Sequence, residues 1–115
     1  MATEAEVELA LLHLKVGTST AVIVESGSFY VQVADSGPAN LVMEAVSDEF
    51  LESPLTPDQH RRLVDFGFRL PAKNGSPNHW RIIEHDRVAI AELILEVLTS
   101  VYGVDASAAE VLEVS

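Results

Sequence analysis

Residues 21–46 read AVIVESGSFYVQVADSGPANLVMEAV, and this stretch decides the fold. Ala21-Val-Ile-Val-Glu25 is short and β-branched, which is strand composition. Ser26-Gly27-Ser28 reads as a turn. Phe29-Tyr-Val-Gln-Val33 alternates, with Phe29, Val31 and Val33 on one face and Tyr30 and Gln32 on the other. Asp35-Ser-Gly-Pro38 reads as a second turn. Leu41-Val-Met-Glu-Ala-Val46 alternates once more. Connections this short predict three antiparallel strands in a meander.

Helical patterns lie on both sides. From Thr3 to about Val16, the residues Val7, Ala10, Leu11 and Leu14 form one apolar stripe, Thr3 and Glu6 have capping-box spacing, and Gly17 suits the stop. Thr56, Pro57 and Gln59 start a second helix that Gly67 ends. Residues 69–79 read as a loop. Trp80-Arg-Ile-Ile-Glu84 is a fourth strand, and Asp86 caps a last helix from about Arg87 to Tyr102, stopped by Gly103. The tail has a capping-box pattern at Ser107 and Glu110, which suggests a short helical turn. The expected fold is therefore α+β: an antiparallel four-stranded sheet with packed helices, in the order α-βββ-α-β-α, within a single domain over residues 1–115.

Composition narrows the function. Acidic residues outnumber basic ones 18 to 7, for a net charge of −11. The bases other than Lys15 lie between Arg61 and Arg87. That balance argues against a nucleic-acid partner, which needs a dominant cationic surface. Without cysteine there is no disulfide and no thiolate metal site or nucleophile. The N-terminus lacks a signal-peptide pattern, and Glu92 and Glu96 interrupt the longest apolar stretch. A soluble, cytoplasmic protein without a membrane segment is expected.

No catalytic or phosphate-binding motif is present. His13, His60, His79 and His85 have no mutual chelating spacing, so no metal and no cofactor is expected. Asp48-Glu49-Phe50-Leu51-Glu52 reads as a solvated acidic edge rather than a hydrolytic carboxylate pair. Three other features carry functional expectations. The last helix has a wide apolar arc, which either inserts between the sheet and the first helix or leaves Ile94, Leu95, Leu98 and Tyr102 for self-association as a homodimer. The strand Ala21-Val22-Ile23-Val24-Glu25 has neither proline nor lysine and is a candidate docking edge for a peptide. Asn78, His79, Trp80 and Arg81 either anchor their loop to the core or line a small-molecule pocket.

A set of phrases links these elements: Tyr30-Val31-Gln32, Glu44-Ala45-Val46-Ser47, Leu55-Thr56-Pro57, Phe66-Gly67-Phe68, Pro77-Asn78-His79-Trp80 and Val101-Tyr102-Gly103-Val104. In that order the chain resembles the small α+β domains similar to type III secretion chaperones and YbjN proteins (the TY-Chap group), common in actinobacteria. Phe68 departs from the pattern, where tryptophan is usual. The resemblance implies a non-enzymatic, chaperone- or adaptor-like domain that binds a protein or peptide, often as a dimer. It carries over no catalytic residues. The alternative reading is a small-molecule or regulatory binding module with its pocket near Trp80.

Overall fold

The structure is a computed structural model that describes residues 2–35, 40–48, 51–71, 77–84 and 86–115. Part of the expected Asp35–Pro38 turn, Glu49 and Phe50 of the acidic connector, Asn74 and Gly75 of the loop, and His85 lie outside the described residues. The elements are α1 (Glu4–Val16), β1 (Ala21–Ser26), β2 (Phe29–Asp35), β3 (Asn40–Ala45), α2 (Pro57–Asp65), β4 (His79–Glu84), α3 (Arg87–Ser100) and β5 (Glu110–Val114).

Local chemistry sets the helix ends. The Thr3 side chain accepts from the Glu6 amide, and Gly17 closes α1 in the left-handed conformation with φ 85°. At α2 both halves of the capping box form between Thr56 and Gln59. The Asp86 carboxylate accepts from the Ala89 amide to start α3.

The sheet is antiparallel throughout, and it has five strands rather than four, in the order β4-β3-β2-β1-β5. The fifth strand corrects two expectations. Beyond Ser107 the tail is not a helical turn; Asp105 caps a single 3₁₀ turn at Ala106–Ala108, and the chain then extends as β5. The Ala21–Glu25 strand is not an open edge, because β5 pairs along it from Ala21↔Val114 to Glu25↔Glu110. On its other side β1 pairs with β2, so both rows of its backbone groups are used. The Glu113 carboxylate ties β5 to the helix layer. It accepts from Ser19 Oγ at 2.8 Å and lies 2.7 Å from His13 Nδ1. The Ser19 and His13 hydrogen bonds hold that carboxyl below the usual range.

All three helices sit on one face. Val22 and Val24 of β1, Val31 and Val33 of β2, and Leu41, Met43 and Ala45 of β3 point to that face and are buried. α3 crosses β2 and lies against α1. Its apolar arc is wide because it meets two layers. Ile94 and Leu98 are 0 % exposed and Tyr102 is buried, with its hydroxyl donating to the Val46 carbonyl at 2.7 Å. Burial, with Tyr30 nearby, pushes the Tyr102 phenol up. These three residues therefore belong to the core of the chain rather than to an exposed apolar face. Leu95 is half-buried and packs against the same core.

Candidate functional site: the β4 edge and the junction beneath it

β4 is one of the two outer strands. Its side chains alternate, with His79, Arg81 and Ile83 toward the helices and Trp80, Ile82 and Glu84 toward the open face. Only one described residue pairs along its outer side. Arg69 exchanges two backbone hydrogen bonds with Trp80, its amide donating at 2.6 Å and its carbonyl accepting at 3.1 Å. The backbone groups of Trp80 therefore point away from β3. Two-residue alternation turns those of Ile82 and Glu84 the same way. Among the described residues, no chain pairs with them there.

Two grooves border this stretch. One, of about 390 Å³, runs between the strand and the start of α3 and is lined by Ile83, Ile90 and Leu93, with Glu84 and Asp86 among its acidic walls. The other, of about 360 Å³, lies around Gly67, Arg69, Trp80 and Arg81. Both reach Arg81 and Ile82. Arg69 is positioned by stacking, its guanidinium carbon 5.3 Å from the centre of the Trp80 ring. Arg81 donates to the Phe66 carbonyl. Gly67, at φ 89°, permits that approach, since an added Cβ would meet the Arg81 guanidinium at 3.0 Å.

The four residues expected around a Trp80 pocket divide into two pairs. Trp80 and Arg81 line the grooves. Asn78 and His79 are buried, and their polar atoms bind the protein itself. Asn78 Oδ1 accepts from the Ser47 amide, and its Nδ2 donates to Tyr30 Oη at 3.0 Å.

His79 belongs to a polar chain that spacing did not reveal. Its Nδ1 is 2.7 Å from Ser47 Oγ, and its Nε2 is 3.3 Å from His60 Nδ1. His60 Nε2 in turn lies 3.4 Å from Asp48 Oδ2, while Asp48 Oδ1 accepts from the Leu55 amide. With both rings neutral and Asp48 ionised, one tautomer set satisfies every contact. His60 carries its proton on Nε2 toward Asp48, His79 carries its own on Nε2 toward His60, and Ser47 donates to His79 Nδ1. The chain joins the end of β3, α2 and β4, and thereby fixes the inner side of the edge strand. Ser47 is itself buried, so its hydroxyl serves this junction and is not presented to solvent. Among the described residues no three His, Cys, Asp or Glu side chains converge as a metal site.

This junction makes stability depend on pH. Burial lowers the His79 pKa below its ordinary 6.5, His60 lowers it further, and Asp48 partly opposes the shift. Above about 6.5 neither the folded nor the unfolded chain protonates this ring, and the group contributes no pH dependence. As pH falls through that value, the unfolded chain takes up a proton that the folded chain resists. Stability therefore declines below about pH 6.5 until the lowered folded pKa is passed. The urea midpoint is expected to drop between pH 7 and pH 5 in the native protein, and by less in His79→Gln. An equal drop in both would show that His79 is not the responsible group.

Compared with protein-family models, the chain matches the one described as T3SS (YopN, CesT) and YbjN peptide-binding chaperone 3, TY-Chap3, over residues 4–112. No curated protein matches. No solved structure matches either. No described helix is long and apolar enough to cross a membrane.

Proposed function

We propose, from the premise that this chain belongs to the TY-Chap3 family of peptide-binding chaperones, that it holds an extended segment of another polypeptide along the outer side of β4. It would act as a non-enzymatic chaperone or adaptor in the bacterial cytoplasm. The observation that carries this reading is the pair of outward backbone positions, Ile82 and Glu84, with a groove on either side. An added strand gains main-chain hydrogen bonds at the edge, and its alternate side chains enter the flanking grooves. The groove against α3 favours an apolar side chain on Ile83, Ile90 and Leu93. Glu84 and Asp86 beside it favour a basic neighbour.

Trp80 is the sole tryptophan and sits in this edge strand, so its emission reports on occupancy. A synthetic peptide of about eight residues alternating valine and lysine has the periodicity of such a strand. It is expected to shift that emission in a saturable way. Ile82→Pro removes an outward N–H without touching the β3 ladder, a change that edge strands tolerate. That variant should stay folded and bind at least about tenfold more weakly, the order expected from losing a main-chain hydrogen bond at a desolvated edge. Equal binding by both proteins, or no binding by the native one, would overturn the assignment.

A further inference from the structure

The face of the sheet opposite the helices carries a continuous apolar row. The strand registers place Ile82, Val42, Ala34, Ala21 and Val114 side by side across all five strands. Ile23 and Leu112 pair immediately beside them. Ile82, Leu112 and Val114 are 46 %, 40 % and 42 % exposed. The helix-facing residues of β1, β2 and β3 all point the other way, and no described helix packs on this side. Larger side chains stand at the ends of the row and alanines in its middle, so its centre is low. Four inter-strand steps make it about 19 Å long.

The chemistry of the face restricts its occupant. The sheet's backbone groups are spent within its plane, so a bare extended chain lying across it would leave its own amides and carbonyls unpaired. An α-helix satisfies its backbone internally, and about 13 residues of helix span the row. Carboxylates dominate the borders, with Glu25 and Glu110 opposite each other on one side and Glu84 paired with Asn40 on the other. A second copy of this chain, also at net charge −11, would bring acid against acid. A helix with an apolar stripe bordered by lysine or arginine complements both features.

We infer that the open face of the sheet is a docking surface for a basic amphipathic helix of a protein partner, seated along the Ile82–Val42–Ala34–Ala21–Val114 row. The surface meets the β4 grooves at Ile82, but its occupancy does not depend on strand addition at the outer side of β4. One partner with a helix and an extended segment could engage both.

The test uses a synthetic peptide of about 14 residues with leucines on one helical face and lysines at its borders. It is titrated into the isotopically labelled full chain and followed by NMR and circular dichroism. The expected result is a set of shift changes centred on Ala34, Val42, Ile23 and Leu112, with a gain of helical signal by the peptide. Val42→Glu and Leu112→Glu should each weaken binding at least about tenfold, as a charge placed in an apolar contact does. Leu112 is already partly exposed, so it keeps the test valid if the Val42 variant fails to fold. Three results overturn the inference: shifts confined to the Ile82 and Glu84 amides or to α1, a peptide bound without helix formation, or unchanged affinity in Leu112→Glu. Failure here with valine–lysine binding intact would leave the edge assignment standing, and the converse holds equally.

Discussion

Leu98→Asp is expected to unfold the domain outright. Leu98 is 0 % exposed in the layer between sheet and α1, so its side chain has no route to water. A carboxylate there is either charged without a partner or neutral with unmet hydrogen bonds, and it also forfeits the leucine's packing. Changes of this kind cost about 4–5 kcal/mol or more, against a total of about 5–15 kcal/mol for a domain of this size. Leu98→Ala, at about 2–5 kcal/mol, should remain folded with a lower urea midpoint. Circular dichroism and denaturation of the two variants check this. A folded, monomeric Leu98→Asp protein would instead place α3 at a dissociable interface and contradict the burial described above.

Removing residues 110–115 is expected to cost roughly 3–5 kcal/mol and to make the protein associate. The stability loss comes from the β1–β5 ladder, at about 1 kcal/mol per hydrogen bond, together with the packing of Val111 and the Glu113 contacts to Ser19 and His13. Association follows from what is uncovered. Without β5, Ala21–Glu25 becomes a bare edge of β-branched residues lacking proline or lysine. Urea denaturation and light scattering across a dilution series measure both effects. A truncated chain that is monomeric and as stable as the native one would show that β5 does not seal the sheet.

What was legible in the sequence was local. The meander could be read because β-branched runs alternate between compact turns, and α2 because Thr56, Pro57 and Gln59 announce its start within four residues. β5 was not legible, because its strand character is decided by pairing with β1 at the far end of the chain. Locally, Ser107 and Glu110 suggest a cap, whereas Asp105 takes that role for a single 3₁₀ turn. The breadth of the α3 arc was visible, but periodicity alone does not separate contact with two layers of one chain from contact with a second chain. Only the fold places α1 over it.

The candidate site divides in the same way. Trp80 and Arg81 stood out by residue type and do line grooves, while the edge they belong to emerges only once β1 is covered on both sides. Ser47, His60, His79 and Asp48 come from three segments, and no spacing rule joins them. The available signal was the alternation of β4. Beginning the strand at His79 puts that histidine in phase with Ile83, on the buried face.

Among the described residues, Ile82 and Glu84 leave their outward backbone groups unpaired and open to an added strand. Amide hydrogen exchange at single residues measures this directly, in the free protein and with the valine–lysine peptide at saturation. Fast exchange is expected at Ile82 and Glu84 in the free protein beside protected Arg81 and Ile83, whose amides bond to β3. Binding should then protect Ile82 and Glu84. Protection of both already in the free protein, or continued fast exchange at saturation, would contradict strand addition at β4.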